Sequence, residues 1–149
     1  MAPIERTGSY IALNPHYLTT SRLAWLNQVT TDLSTSALFK IYAGVQPADV
    51  SSAVTAANIV LASLTFPTTN AFGAASSTAA ASFMTANAIG SDTAATAGTA
   101  VWFSLTLGTG KRCVDGSVGT SGADLNLNST AIATNATVAV TAFTITSAV

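Results

Sequence analysis

Side chains able to perform acid–base, nucleophilic or metal chemistry are few in this sequence, and they lie far apart. Among 149 residues there is one histidine, His16, and one cysteine, Cys113. A histidine with no carboxylate or thiol beside it in sequence is more typical of a surface residue than of a general base. A single thiol allows neither an internal disulfide nor a thiolate zinc cluster, and it favours a small buried or half-buried side chain in a strand.

Two further patterns resemble known sites only superficially. Asp115 directly precedes Gly116, and Asp124 lies two residues after Gly122, which is typical of turn-forming residues. A calcium site built from both carboxylates and nearby carbonyls would have too few ligands. The run 108–112, Gly-Thr-Gly-Lys-Arg, lacks the spacing of a phosphate-binding loop and instead predicts a hairpin turn. With no Gly-x-Ser-x-Gly motif either, we predict no catalytic, cofactor-binding or metal-ligating residue, and no enzyme.

The composition restricts the possible partners. Only 7% of the residues are charged and the formal net charge is −1, so the chain cannot assemble the basic patch that nucleic acid or an anionic membrane requires. No stretch approaches the roughly 20 apolar residues of a membrane span, and Glu5 and Arg6 interrupt any signal peptide. We therefore expect synthesis in a cytoplasm. A surface poor in charge is typical of interfaces, which favours a homo-oligomer or a larger assembly.

The chain divides into three regions around one domain. Residues 1–18 contain turn signals and no periodicity, which predicts an extended arm or, alternatively, a frayed terminus. Residues 19–36 predict one amphipathic helix with Ser21 as its N-cap, packed on a sheet. Its predicted apolar face consists of Leu23, Leu26, Val29 and Leu33 beside Trp25, and its polar face of Arg22, Asn27, Gln28 and Asp32.

Residues 37–149 predict a mainly β domain, an antiparallel β-sandwich or jelly roll, because short β-branched runs alternate with turn residues. The predicted strands are 38–42, 59–66, 83–89, 99–107 as the central strand, 111–114, 125–128 and a last strand within 138–146. We predict loops at 67–82 and 91–98, and turns at Asp115-Gly116 and at 119–122. Trp25, Trp102, Phe103 and Phe143 lie in periodic segments and are expected to be buried.

The order of these segments is familiar. The helix is followed by Lys40–Pro47 and Leu61–Phe66, then by Thr99–Phe103, by the run Asp115–Ser129 (DGSVGTSGADLNLNS) and by Val138–Thr146. This order resembles a family of small structural proteins of tailed bacteriophages and prophages. The resemblance covers about residues 22 to 146, and the Asp115–Ser129 run is its most specific part.

The resemblance implies a location in the virion and carries over no functional residue. We expect a capsid decoration or cement protein, made in the host cytoplasm, that binds the major capsid protein, copies of itself, or both. The alternatives are a neck, tail or fibre component of the same virion and a receptor- or carbohydrate-binding β module. Aromatic side chains that look buried favour decoration, because receptor- and sugar-binding modules tend to expose them.

Overall fold

A computed structural model describes residues 18–33, 36–66, 70–78 and 80–148 of the chain. These residues form one helix and a curled arrangement of short sheets, so the prediction of a mainly β protein is confirmed. The elements are α1 Thr19–Asp32, β1 Leu38–Tyr42, β2 Val60–Thr65, β3 Ser76–Ser77, β4 Ala81–Thr85, β5 Asp92–Thr93, β6 Gly98–Thr99, β7 Trp102–Thr106, β8 Arg112–Gly119, β9 Leu125–Asn126, β10 Ala131–Ile132, β11 Thr137–Val138 and β12 Thr144–Ala148.

The largest sheet has five strands in the order β2-β1-β7-β8-β9. Strand β7 lies at its centre and all five of its residues are buried, which confirms the predicted central strand. The pairs β1–β2, β1–β7 and β7–β8 are antiparallel, whereas β9 pairs with β8 in parallel. The parallel pair differs from the all-antiparallel prediction: the turn at 119–122 and the residues after it lead the chain back beside Val118–Gly119 in the direction of β8.

One face of this sheet packs into an aromatic core. Because successive side chains of a strand point to opposite faces, Phe39 and Ile41 of β1 share a face with Phe103 and Leu105 of β7. The rings of Phe39 and Phe103 stack with centroids 5.0 Å apart, and Phe143 meets both rings edge-on at 5.1 and 5.2 Å. Phe143 immediately precedes β12, so this cluster joins the five-stranded sheet to the chain that forms the other sheets.

The remaining strands belong to one long, bent ribbon. Residues 92–100 run antiparallel to 130–138 in one constant register, through β5–β11, β6–β10 and the hydrogen bonds between them. Residues 81–86 continue the ribbon against 143–148, with the register displaced by one residue. The displacement arises because five residues, 87–91, lie opposite four, 139–142. Strand β3 pairs with β4 and completes a three-stranded sheet, β12-β4-β3.

Helix α1 packs against β3 and β4, as predicted for a helix that covers a sheet. Leu26, Val29 and Leu33 are buried in the core. Two predictions about the helix are wrong. It begins at Thr19 after Leu18, without a side-chain cap, so Ser21 lies inside it. Arg22 is buried, not on the polar face, because its Nε donates to Ser82 Oγ of β4 at 3.2 Å and its Nη2 to Thr19 Oγ1 at 3.2 Å.

Several strand predictions also need correction. Asp115-Gly116 is not a turn but lies inside β8, because Gly116 faces the ring of Phe103 across the ladder. The predicted loops at 67–82 and 91–98 contain β3, β5 and the first residues of β4 and β6. The stretch 138–146 is not one strand, because the ribbon bends between β11 and β12 and buries Val138, Val140 and Phe143 instead of alternate residues.

Candidate docking surface

Residues 43–59, named here the valine loop, connect β1 to β2 through a narrow neck. The amide of Ala43 donates to the carbonyl of Ile59 at 2.9 Å, and Asn58 Nδ2 donates to the carbonyl of Val45 at 2.7 Å. Gly44 has φ +92°, and a Cβ there would lie 2.5 Å from the carbonyl oxygen of Ala57. The neck therefore requires glycine both for its backbone conformation and for the closeness of the two chains.

The tip of the valine loop is a turn organised by one carboxylate. Asp49 Oδ1 accepts hydrogen bonds from the amide and hydroxyl of Ser51, at 2.7 and 2.6 Å, and from the amide of Ser52 at 3.0 Å. The hydrogen bonds from Ser51 lower the pKa of Asp49, because they stabilise the ionised carboxylate. The carbonyls of Asp49 and Ser52 both point to one partner, the guanidinium of Arg112.

Arg112 begins β8 and contacts four different groups. Its Nη2 donates to the carbonyl of Asp49 at 2.7 Å and to that of Ser52, and its Nη1 forms an ion pair with Asp115 Oδ2. Its guanidinium also lies over the ring of Trp102, 5.5 Å from the centroid. Both side chains of the ion pair are only 5% exposed. A planar guanidinium suits this combination of carbonyls, carboxylate and aromatic ring.

The face of the five-stranded sheet opposite the aromatic core, named here the outer face, lies beneath these contacts. Trp102 is fully buried there and stacks on Tyr42, with centroids 4.1 Å apart and planes 6° from parallel. Burial raises the pKa of the Tyr42 phenol; Arg112 opposes this increase and Asp115 adds to it. The rings and the guanidinium thus form a stack of Tyr42, Trp102 and Arg112.

The outer face also contains buried polar atoms that find no hydrogen-bond partner among the described residues. They are Trp102 Nε1, Ser104 Oγ and Asp115 Oδ1. Ser104 lies opposite Asp115 in the β7–β8 ladder, and Trp102 lies two residues from Ser104 on the same face. An unpartnered buried polar atom costs about 1–3 kcal/mol, so these atoms oppose the burial of this face.

Exposed apolar side chains are concentrated on the valine loop and beside it. Among the described residues, six of the eight exposed large apolar side chains lie there: Val45, Val50, Val54, Ile59, Val60 and Val101. Val45 has the largest exposed fraction, 84%. Val60 pairs with Tyr42, and the amide of Val101 donates to the carbonyl of Tyr42, so both lie at the same end of the sheet as the neck. Clustered exposed apolar side chains are typical of surfaces that contact another protein.

The structure describes one of the two residues singled out for possible chemistry, Cys113 and not His16. Cys113 is half-buried in β8, as predicted, and burial raises the pKa of its thiol, with Asp32 adding to the increase. His16 and the predicted arm, except Leu18, lie outside the described residues.

Asp115 and Asp124 do not converge on a calcium site. Asp115 pairs with Arg112, whereas Asp124 Oδ2 accepts hydrogen bonds from the amide and hydroxyl of Ser117 at 2.8 and 2.7 Å. Hydrogen bonds from Ser117 lower the pKa of Asp124. In the described parts of the chain no three histidine, cysteine, aspartate or glutamate side chains group as metal ligands would. The 108–111 segment forms the hairpin between β7 and β8, as predicted, with Gly110 at φ +83°.

Sequence reasoning missed both the role of Arg112 and the position of Trp25. The expected burial is confirmed for Trp102, Phe103 and Phe143, but Trp25 is 51% exposed. Trp25 lies on the outside of α1, beside a groove that Ser21, Arg22 and Ser147 also line. In the sequence, Trp25 belongs to the same apolar run as Leu26. The orientation of the helix on the sheet buries Leu26 and Val29 and leaves Trp25 exposed.

Comparisons with known proteins find no match for this chain. No protein-family model matches the sequence, and searches of curated proteins and of solved structures find no match. No helix in the described residues is long and apolar enough to cross a membrane. The fold and the surface together define a mainly β protein with one helix, whose exposed apolar side chains lie mostly on and beside the loop between β1 and β2.

Proposed function

We propose that this protein is a non-enzymatic structural subunit of a tailed-phage virion, a decoration or cement protein that binds the outside of the head in many copies. The valine loop carries this proposal, because it concentrates exposed aliphatic side chains on a surface with little charge. Removing such a surface from water has a low desolvation cost, and the surface fits an apolar contact with a neighbouring subunit. The resemblance of the chain to small virion proteins supports the same function.

The fold is also suited to this role. We infer that the five-stranded sheet and the sheet carrying α1 form a β-sandwich around the aromatic cluster of Phe39, Phe103 and Phe143. A rigid scaffold of this kind holds a docking loop in one conformation and limits the entropy lost on binding. Modest affinity per copy is sufficient, because an oligomeric subunit that contacts several capsid proteins gains avidity.

The test is the copy number of this protein in purified particles, measured by quantitative mass spectrometry against the major capsid protein. We expect hundreds of copies, as required by a subunit that follows the capsid lattice. A few to a few dozen copies would replace decoration by a neck, tail or fibre position. If purified particles contain none, the virion proposal is wrong.

One observation favours a second candidate, a receptor- or carbohydrate-binding module of the tail or fibre. Trp25 exposes about half of its surface beside the groove lined by Ser21, Arg22 and Ser147. Sugars commonly stack on exposed aromatic rings, and the neighbouring polar groups would supply hydrogen bonds. A glycan array probed with the wild type and with Trp25→Ala separates the two candidates. Binding that disappears in the variant would favour the module, and a flat array would favour decoration.

A further inference from the structure

The valine loop is attached to the rest of the domain at its neck and at its tip. The neck holds residues 43–45 to residues 57–59 and fixes where the loop leaves the sheet. At the tip, the described side chain from outside the loop that bonds to it is Arg112, whose Nη2 donates to the carbonyls of Asp49 and Ser52. Each carbonyl lies at least 60 residues from Arg112 in sequence, so local structure does not hold the tip in place.

The loop folds back over the outer face from one end of the sheet toward the other. Its neck lies at the end where Tyr42 pairs with Trp102, whereas Arg112 pairs with Thr106 four residues further along β7. Four residues of a strand span about 13 Å. The long side chain of Arg112 bridges part of that distance, because its guanidinium reaches back over the ring of Trp102.

The layer beneath the loop is not an ordinary core. Trp102 Nε1, Ser104 Oγ and Asp115 Oδ1 are buried there without a hydrogen-bond partner among the described residues. When the loop lifts away, water reaches these atoms and partly offsets the cost of exposing the Tyr42–Trp102 stack. The closed position of the loop therefore depends heavily on the contacts of Arg112.

From these contacts we propose that Arg112 is a positioning residue for docking: it holds the tip of the valine loop against the outer face, and the loop opens about its neck when this anchor is lost. The anchored loop presents its aliphatic side chains in one preformed arrangement, whereas an opened loop has to be ordered on binding. The anchoring role stands on the contacts described above, and its effect on docking rests on the proposed function.

Hydrogen exchange on the full chain tests the anchor directly. Arg112→Lys keeps the charge but cannot reproduce the two carbonyl contacts, the carboxylate contact and the ring contact together. We expect amides of residues 49–58 to exchange at least about tenfold faster, while those of β7 stay protected. Lys111→Gln is the matched control, because it changes an exposed neighbouring side chain, and it should leave exchange unchanged. Unchanged exchange in a folded Arg112→Lys protein overturns the proposal.

Asp49→Ala is a second variant that avoids changing a buried residue. Asp49 is exposed and shapes the turn whose carbonyls bind Arg112. The amides of residues 53–58 are compared, because Asp49 bonds the amides of Ser51 and Ser52 itself. We expect these amides to exchange faster in this variant, and the double variant Asp49→Ala/Arg112→Lys to show little further increase, because both changes release one contact. If Asp49→Ala accelerates exchange by the same factor whether or not Arg112 is present, Arg112 does not act through this turn and the proposal fails.

Occupancy on purified particles then tests the consequence for docking. Arg112→Lys should lower occupancy at least about fivefold relative to Lys111→Gln, because its loop has to be ordered on binding. A loosened loop with unchanged occupancy would overturn the role in docking while leaving the anchor in place. Failure of the wild type to bind particles would instead contradict the proposed function. The exchange result would still show whether Arg112 holds the tip of the valine loop.

Discussion

Gly116 lies directly opposite Phe103 in the β7–β8 ladder, and a Cβ at Gly116 would be 2.5 Å from Cε1 of that ring. The ring of Phe103 therefore occupies the space that a side chain at Gly116 would fill. This relationship explains why a glycine stands in the middle of a strand of eight residues, and why its dipeptide with Asp115 resembles a turn in the sequence.

Gly116→Ala is expected to lower the free energy of unfolding by about 1–3 kcal/mol, because the added methyl group overpacks the aromatic core. Chemical denaturation measures the change. Gly73→Ala is the matched control, since its Cβ would meet only the carbonyl oxygen of Thr85 at 3.7 Å. Gly116→Ala should cost less in a Phe103→Leu background than in the wild type, because the smaller side chain leaves room for the methyl group. Equal effects of the two alanine substitutions would show that Phe103 does not occupy this space.

Stability should fall in acid partly through Asp124 and Asp49. Both carboxyl groups have folded pKa values below the ordinary 3.8, because they accept hydrogen bonds as carboxylates. A group with a lowered folded pKa contributes its full stability above the unfolded pKa and loses it as the pH falls through the folded value. We expect Asp124→Asn to flatten the decrease in unfolding free energy below about pH 4. If the acid dependence of wild type and variant coincides, the bonds to Ser117 do not favour the ionised form.

The two tryptophans should respond oppositely to substitution. Trp102 is fully buried, so Trp102→Ala is expected to cost about 3–5 kcal/mol of unfolding free energy. Trp25→Ala should change stability much less, because about half of that side chain already contacts solvent. Acrylamide quenching of Trp25→Phe and Trp102→Phe provides a second measurement. The protein that retains only Trp102 should be shielded, and the one that retains only Trp25 should be quenched readily.

Val45→Asp tests the docking surface without disturbing the core. Val45 is 84% exposed, so the substitution should leave stability within about 0.5 kcal/mol. Burying the new carboxylate against a partner is unfavourable, and we expect at least about a tenfold loss of occupancy on particles. Asn27→Asp, on the exposed side of α1, adds the same charge as a control. An equal loss in both variants would point to a general charge effect and not to docking through the valine loop.

The sequence predicted those elements whose pattern is dominated by local packing. Leu38–Tyr42 alternates along one strand, and the hairpin after β7 follows from its two glycines. The short strands β5, β6, β10 and β11 could not be predicted, because each has two residues and forms only through pairing with a distant partner. With two residues each, and at most one large apolar side chain, these strands show no apolar alternation that would mark them.

The candidate docking surface was predictable only in part. Low charge indicated a surface for contact with other subunits, but nothing in the run around Arg112 indicates that its guanidinium binds carbonyls of residues 49 and 52. The exposure of Trp25 was missed for a related reason. Helical spacing defines a face, but the partner sheet decides which edge of that face is covered.

The long ribbon has a consequence for how the domain assembles. Strand β4 pairs on one side with β3, only a few residues away, and on the other with β12, whose partner residues lie some 60 positions further along the chain. Pairing at such separation costs loop-closure entropy before any contact repays it, and domains dominated by it fold slowly. We therefore expect the edge of β4 that faces β12 to stay unpaired during folding until residues 144–148 pair with it.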